Sequence, residues 1–399
     1  MKKNFKRKIL KNGLTILFEK RTLPVVSVAF AVRNGGINET AEEKGISHFI
    51  EHLLYKGTEK RNAKQIAEEI EKNGGELNGF TSESLTAFWC KMPSESIDTA
   101  LEVLSDMVKN PKFDRKELEK ERKVIFEEIK MYHDTPRFHV LDMIHQSLYE
   151  PPFGMPLIGT IKTMNSINRD KILRKFRQVY TPNNLILAVV GDADFEKIVD
   201  FAEKNFGNEK GNVPRFKIQK KDEIKTETRK GIDQANLVFA YHTPLLGDKK
   251  AYAAKVLGTL MAEGMSSRLF TEIREKRNLA YAIKGETILT KDYSQNYIYV
   301  GTTKDAVEKV KQLILEEFEK VSKELSEKEF KEVKKQITGN YKIAMEDSQE
   351  VLTALLLYEI DGNAGDFYDF EKNILNVKLK DVMDLAKIKK YSMYTLVPD

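Results

Sequence analysis

The chain has 399 residues, of which 41% are hydrophobic and 32% are charged, a composition that excludes a disordered or fibrous protein. Its net charge is +5, and charges of both signs are interleaved, which does not favour a nucleic-acid-binding protein. The length allows two or three domains. The single cysteine, Cys90, excludes an internal disulfide and a cysteine-rich metal site, so a metal would need histidine or carboxylate ligands.

The first half of the chain alternates strand-like and helix-like segments. Strands are predicted at 14–18, 25–32, 76–92 and 185–190, and helices at 47–55, 62–73, 95–109, 114–132, 137–149, 169–179 and 195–206. Asn62 and Asp114 stand where helix caps are expected, with Glu117 at the capping-box position after Asp114. Residues 207–222 are polar and lack periodicity, which predicts a linker.

The second half partly repeats this order. Strands are predicted at 235–241, 280–287 and 295–302, and helices at 249–262, 267–276, 305–325 and 327–346. Residues 169–190 and 379–397 both read as a helix, a tyrosine-containing turn and an apolar strand. We therefore predict two similar α+β domains, 1–210 and 223–399, joined by a linker at 211–222. Each should hold a mainly antiparallel sheet with helices packed on one side.

The N-terminal segment is basic, with five lysines or arginines among residues 2–8. It can be a solvated leading edge or a small anion-binding patch. No long apolar segment follows it, and the longest apolar runs are only strand-sized. We expect a cytoplasmic protein with no secretory signal, no membrane span and no nucleic-acid partner.

Two of the six histidines lie four residues apart, in the sequence HFIEH at 48–52. On a helix His48 and His52 share a face, so they could present two imidazole nitrogens to one metal ion, and Glu51 borders that face. The order is the reverse of the H-E-x-x-H zinc motif, and Glu51 could serve as the base for a zinc-activated water. The alternative is two helix histidines whose hydrogen bonds are met by their surroundings.

A family resemblance rests first on two stretches, HFIEHLLYKGT at 48–58 and ERKVIFEEIKMYHDTP at 121–136. Together they resemble the pitrilysin family of zinc metallopeptidases. The resemblance implies one Zn²⁺ per chain, held by His48, His52 and Glu128, with Glu121 orienting a ligand. Without it, Glu128 would be a solvated helix charge, as its neighbour Glu127 is expected to be.

The resemblance extends to the second half, where SSRLF at 266–270 precedes REKRNLAY at 274–281. It implies that Arg274 and Tyr281 contact substrate and steady an oxyanion, roles a fixed cation and a phenol can perform. Asn278 stands where many relatives have glycine, and asparagine tolerates the left-handed backbone such a turn requires. The alternatives are a helix-surface charge for Arg274 and a core-edge aromatic for Tyr281.

The stretch LNGFT at 77–81 also matches the family. It implies that Asn78, Gly79 and Phe80 lie on an edge strand that pairs with extended substrate, which gives hydrogen bonds independent of substrate sequence. Many relatives have alanine in place of Gly79, whose lack of a side chain leaves room for close backbone approach.

The expected function is a zinc endopeptidase that cleaves peptides or unfolded segments in a chamber. Because some relatives contain four such domains, we expect a homodimer, and the resemblance suggests the hypothesis that Arg274 and Tyr281 serve the partner's zinc site. Two alternatives stay open within the family: a catalytically silent docking subunit, and a peptidase that depends on a different homologous partner.

Overall fold

The computed structural model describes residues 4–399, which form two units, each built on one sheet. The first unit takes residues 4–129, 155–217 and 344–368, and the second takes 130–154, 218–343 and 369–399. Both mix helices with mainly antiparallel strands, which confirms the predicted α+β class and two-domain type. Among residues 4–399, every helix is too short or too polar to cross a bilayer.

The first sheet has six strands. They are β1 Phe5–Ile9, β2 Thr15–Lys20, β3 Val25–Val32, β4 Glu76–Thr81, β5 Thr86–Pro93 and β6 Leu185–Gly191. Their order is β1-β2-β6-β3-β5-β4, and only the β2–β6 pair is parallel. Strand β4 therefore lies at an edge of the sheet.

Eight α-helices lie between residues 46 and 205. They are α1 Ile46–Leu54, α2 Ala63–Glu71, α3 Ile97–Lys109, α4 Arg115–Asp134, α5 Pro136–Leu148, α6 Ile161–Ser166, α7 Arg169–Val179 and α8 Phe195–Asn205. The Asn62 side chain accepts a hydrogen bond from the Gln65 amide, and Asp114 accepts from Lys116 and Glu117, so both predicted caps are confirmed.

The second sheet has five strands. They are β7 Ile224–Arg229, β8 Ala235–His242, β9 Ala280–Leu289, β10 Ser294–Thr302 and β11 Ser392–Pro398. The α-helices that follow residue 205 are α9 Ala251–Ala262, α10 Val307–Glu324, α11 Glu327–Ala344, α12 Ser348–Asp361, α13 Phe370–Leu375 and α14 Leu379–Leu385. The strand order is β7-β11-β8-β10-β9, with β9 at an edge and only β7–β11 parallel.

The two sheets share one topology. If β1 is set aside, the order β2-β6-β3-β5-β4 corresponds strand for strand to β7-β11-β8-β10-β9, and the parallel pair falls at the same place. By this correspondence, α1 and α9 both follow a central strand and precede an edge strand, which is β4 in the first sheet and β9 in the second. The structure therefore contains the internal repeat that the sequence indicates.

Each sheet also carries one helix on the face opposite its main core. On β3, Val26, Val28 and Phe30 belong to the core cluster, whereas Ser27 points the other way and hydrogen-bonds Ser348 of α12 at 2.8 Å. In the second unit, α5 packs on β8 and β11 in the same manner, and Ser392 donates to the carbonyl of Ser147.

These two helices cross the boundaries expected from the sequence. Helix α5 comes from the first half of the chain but belongs to the second unit, and α12 comes from the second half but belongs to the first. The predicted division into 1–210 and 223–399 follows the chain, whereas the units are discontinuous along it.

Three local expectations differ from the structure. Residues 76–92 form a hairpin of two strands, β4 and β5, instead of one strand. The helix predicted at 267–276 is present, but residues 270–275 form a π-helical turn, in which the Lys276 amide donates to the Thr271 carbonyl five residues back. Strands β1 and β7 and helices α6, α12 and α13 were not predicted.

Candidate metal centre

Helix α1 begins at a sharp bend and a buried carboxylate. Gly45 has φ = +93°, a left-handed conformation that favours glycine. Glu39 is fully buried and accepts hydrogen bonds from the backbone amides of Gly45 at 2.9 Å and Ser47 at 2.7 Å. Burial raises the pKa of Glu39, and the nearby Lys44 ammonium opposes that rise. Two otherwise free amides at the start of α1 are thus held by one side chain that sequence analysis missed.

Three donor atoms converge between α1 and α4. The Nε2 atoms of His48 and His52 are 3.2 Å apart, and Oε2 of Glu128 lies 3.5 Å from the first and 3.7 Å from the second. Donor atoms around one tetrahedral zinc ion lie roughly 3.3–3.6 Å apart. The structure therefore brings together the three predicted ligands at a spacing that suits one metal ion.

The polar atoms of this group fit a cation. Glu128 Oε2 is buried and has no hydrogen-bond donor within residues 4–399. Burial, together with the nearby His52, lowers the pKa of His48 to about 3, so its imidazole is neutral and can offer a lone pair. Burial also raises the pKa of Glu128. A positive ion would satisfy all three groups at once.

Glu121 fixes the orientation of His52. Its Oε2 lies 3.1 Å from Nδ1 of His52, and its Oε1 accepts from the Lys56 ammonium at 2.9 Å. Burial acts to raise the pKa of Glu121, but the hydrogen bonds from His52 and Lys56 outweigh it and hold that pKa below its usual value. With Nδ1 donating to Glu121, Nε2 of His52 is left as a lone-pair donor that faces His48 and Glu128.

Glu51 lies on α1 beside these donors and is held from the edge strand. The Thr81 hydroxyl, at the end of β4, donates to Glu51 Oε2 at 2.5 Å. Burial raises the pKa of Glu51. Two buried phenols, Tyr55 and Tyr180, lie near this carboxylate, and burial followed by its negative charge raises their pKa values. Thr81 is a second residue of the site that sequence analysis missed.

Asn78, Gly79 and Phe80 lie on β4, whose outer edge is unpaired in the sheet. A Cβ atom on Gly79 would lie 2.5 Å from the Tyr55 hydroxyl and 2.8 Å from the Ala87 carbonyl. Asn78 accepts a hydrogen bond from the Gly79 amide at 2.8 Å. The absent side chain at position 79 is therefore what lets Tyr55 pack beneath the strand.

Arg274 and Tyr281 lie together in the second unit, around one cleft. Both side chains are close to half exposed, which favours neither a buried nor a purely solvated role. Asn278 between them has φ = +52°, the left-handed conformation expected for this turn. The Tyr281 ring lies over Gly301, where a side chain would collide with it.

A helix carrying H-x-x-E-H, joined by a glutamate from a second helix and set in one of two similar α+β units, defines the class of inverted-motif zinc peptidases. The family models for insulinase, peptidase family M16, and for the peptidase M16 inactive domain match residues 15–161 and 166–337. The chain belongs to this family, which is also called the pitrilysin family, and is of its short, two-domain type.

Three similar proteins illustrate the relationship. An uncharacterized zinc protease of Rickettsia felis is 33% identical over 396 residues, covering 97% of this chain and 95% of its own length. The crystal structure of a protease from Helicobacter pylori superimposes with a TM-score of 0.92 at 24% identity, covering 99% of both chains. A chain of complex III2 from Candida albicans matches with a TM-score of 0.88 at 18% identity, covering 98% and 95%. The two structures show a shared fold.

Proposed function

We propose that this protein is a zinc-dependent endopeptidase that cleaves peptides or unfolded segments. The observation that carries the proposal is the convergence of His48, His52 and Glu128 at metal-ligand spacing beside a buried carboxylate, Glu51. A bound zinc ion would supply a positive charge that polarises a peptide carbonyl and acidifies a water molecule.

The protein's own residues manage the proton. Glu51 accepts a proton from the attacking water and then donates it to the leaving amine. Its raised pKa suits both steps, because a carboxylate that is too acidic would not return the proton. Thr81 holds Glu51 Oε2, which leaves the other carboxylate oxygen for the exchange. Glu121 and Lys56 keep His52 in the tautomer that binds a metal.

The substrate is proposed to bind as an extended chain. The free edge of β4 can pair with a peptide backbone alongside Asn78, Gly79 and Phe80, which selects for conformation more than for sequence. We further propose that Arg274 and Tyr281 hold the oxyanion or a nearby substrate carbonyl. A cytoplasmic location is part of the proposal.

We also propose a homodimer whose chamber encloses the substrate. In that arrangement, Arg274 and Tyr281 would serve the zinc site of the partner chain. Mixing Glu51→Gln chains with Arg274→Ala chains tests this, because only a mixed dimer with shared sites regains one intact centre. Absence of any recovered activity would count against sharing between chains.

The central experiment is a quenched-peptide assay on the zinc-loaded protein and on Glu51→Gln. We expect the variant to keep its zinc and to lose about 100-fold to 10,000-fold in kcat, the range that a general base contributes. Chelator should abolish wild-type cleavage, and added zinc should restore it. Cleavage that survives chelation, or a fully active Glu51→Gln, would exclude this mechanism.

The same assay separates the two family alternatives. A silent docking subunit would bind zinc through His48, His52 and Glu128 but cleave no peptide, alone or in mixtures. A peptidase that needs a different homologous subunit would be inactive until that partner is added. The complete set of converging donors together with Glu51 favours an active enzyme over a silent docking subunit. The presence of Arg274 and Tyr281 in the same chain favours it over a peptidase that needs a different partner.

A further inference from the structure

The turn of the β4–β5 hairpin lies against the loop that leads from β3 into α1. This turn spans residues 82–85. Two of its carbonyls accept hydrogen bonds from that loop: the Gly36 amide donates to Ser82 at 3.2 Å, and the Ile37 amide donates to Glu83 at 2.9 Å. The end of the edge strand is therefore joined through this loop to the start of the helix that carries His48, Glu51 and His52.

Lys44 is a buried lysine at the junction of these segments. Its side chain is fully buried, and it stands directly before Gly45, the N-cap residue of α1. Its ammonium donates to the Gly36 carbonyl at 3.1 Å and lies 3.7 Å from Oε2 of Glu83. A lysine is almost never fully buried unless its charge is paired. One side chain thus links the start of α1, the loop and the hairpin turn.

Glu83 supplies the other half of this ion pair from the turn. Its side chain is 14% exposed, burial raises its pKa, and the Lys44 ammonium opposes that rise. Oε2 of Glu83 occupies the space that a side chain at Gly36 would take, since a Cβ atom there would lie 2.2 Å from it. Lys44 also opposes the rise in the pKa of Glu39, which holds the first amides of α1. Lys44 is therefore the counter-charge that two buried carboxylates share.

The edge strand is tied to α1 at a second point, through Thr81. This residue is the last of β4 and lies two residues before Glu83, and its hydroxyl donates to Glu51. The two links hold one end of β4 against α1 and so set the distance between the outer edge of the strand and Glu51. That distance matters because a misplacement of about 1 Å can lower a rate by about 100-fold.

We propose that Lys44 is a positioning residue: through Glu83 it holds edge strand β4 against α1, so that a peptide paired with β4 presents its scissile bond to Glu51. The proposal rests on the proposed peptidase function. It goes further by assigning the alignment of the substrate to a buried ion pair that touches neither the substrate nor the metal ligands. Loss of the pair should change where a peptide is cut as well as how fast.

Three variants test this role. Lys44→Met removes the ammonium and leaves the Glu83 carboxylate without it. Lys44→Met/Glu83→Met removes both charges, and replacing a buried ion pair by apolar residues of similar volume is often neutral for stability. Lys175→Met is the matched control, because Lys175 is also buried and donates to the Asn38 carbonyl of the same loop at 2.7 Å, but within residues 4–399 its ammonium has no contact with the turn.

The first measurement is amide hydrogen exchange in the zinc-free protein, which needs no catalysis. We expect the amides of residues 76–86 to exchange about tenfold faster in Lys44→Met, because local opening of the hairpin no longer separates an ion pair. Lys175→Met should leave the exchange of this segment unchanged. Unchanged exchange of residues 76–86 in Lys44→Met would overturn the proposal.

The second measurement is kcat, KM and the position of cleavage in one extended peptide, on the zinc-loaded protein. We expect Lys44→Met to bind zinc as the wild type does, to lose about tenfold to 100-fold in kcat and to cut bonds next to the wild-type one. The double variant should regain stability but keep the low kcat and the altered cleavage, whereas Lys175→Met should cut at the wild-type bond. If kcat and cleavage position returned to wild type together with stability, the pair would serve stability alone and the proposal would be overturned.

Hydrogen exchange separates this idea from the peptidase proposal. Faster exchange of residues 76–86 in Lys44→Met, seen with a wild type that cleaves nothing, would retain the hold on β4 and reject the peptidase. A wild type that cleaves, with exchange and cleavage position unaltered in Lys44→Met, would do the reverse.

Discussion

Helices α1 and α9 occupy equivalent places in the repeated topology, yet only α1 carries metal ligands. Residues Ala251–Ala262 of α9 include no histidine or carboxylate and are almost wholly buried against β9 and β10. Helix α1 buries its apolar residues in the same way but also presents His48, Glu51 and His52. The fold therefore places a helix packed on the sheet at the same position in both units, and the chemistry depends on which side chains that helix carries.

The two helices also begin differently. Buried Glu39 holds the first amides of α1, whereas α9 is preceded by Lys250, whose amide donates to the exposed Asp248 side chain at 2.7 Å. A helix that must hold ligands to a fraction of an ångström gains from a buried anchor. Substitutions in both units can measure how far this contrast extends.

The largest expected effect concerns metal binding itself. Replacing Glu128 by glutamine should weaken zinc binding by more than about 100-fold, because an anionic ligand is lost outright. Exposed Glu127, its neighbour on α4, provides the matched Glu127→Gln control, which should bind zinc normally. Competition titration and metal analysis should give one zinc per chain in the wild type. A second zinc per chain would break the contrast between α1 and α9.

The next effect is at the start of α1. Glu39→Gln should weaken zinc binding by about tenfold to 100-fold, since the amide group can no longer accept equally from both Gly45 and Ser47. Asp248→Asn at the start of α9 is the control and should leave zinc affinity unchanged. Loss of stability with full zinc affinity would mean that Glu39 supports the fold without positioning the ligands.

A third test compares the two opposite-face helices. In α12, Glu359 is buried and hydrogen-bonds the guanidinium groups of Arg7 at 2.8 Å and Arg33 at 2.9 Å. Burial acts to raise the pKa of Glu359, but those bonds hold it below its usual value. Glu359→Gln should lower the free energy of unfolding at pH 7 by about 3 kcal/mol.

The pH dependence follows from that lowered pKa. Because the folded pKa lies below the unfolded one, the stabilisation is complete above about pH 4.5 and is lost as pH falls through the folded pKa. In α5, burial lowers the pKa of His139. Because the folded protein resists protonation of this imidazole, the free energy of unfolding begins to fall as the pH is lowered through about 6.5. Urea unfolding from pH 7 to 3 should show Glu359→Gln converging on wild type at low pH; a constant difference would contradict this origin.

The smallest effect concerns the edge strands. Gly79→Ala should destabilise the protein by about 1–3 kcal/mol, because the new Cβ would overlap the Tyr55 hydroxyl and the Ala87 carbonyl. Adding Tyr55→Phe should recover part of the loss, which a double-mutant cycle measures. Gly247→Ala, where the new Cβ meets open space, should be nearly neutral. If the stability changes of Gly79→Ala and Tyr55→Phe simply added, the packing of the Tyr55 hydroxyl would not depend on the glycine at position 79.

Much of the site could be predicted because helical spacing encodes it. His48 and His52 share a face of any α-helix, and so do Glu121 and Glu128, which are two turns apart. The structure places these four side chains in one cluster. The contact between α1 and α4 was predicted only from the family resemblance, because periodicity shows which residues share a helix face but not which helices pack together. Glu39 could not be found this way, because a carboxylate in an irregular loop carries no periodic signal.

The missed elements have comparable reasons. Strands β1 and β7 are mostly exposed, and their charged side chains hide the alternation expected of a strand, so backbone pairing with β2 and β11 decides their conformation. The π-helical turn at 270–275 differs from an α-helix by less than one residue per turn, which side-chain type does not distinguish.

The exchange of α5 and α12 bears on how the chain folds during synthesis. The last strand of the first sheet, β6, ends at Gly191, but the helix that covers its opposite face ends about 170 residues later, at Asp361. At about 5–20 residues per second, the ribosome leaves that face bare for roughly 10–30 s. Neither half, made alone, could bury both faces of its sheet, so we expect separately expressed halves to aggregate and co-expressed halves to rescue each other.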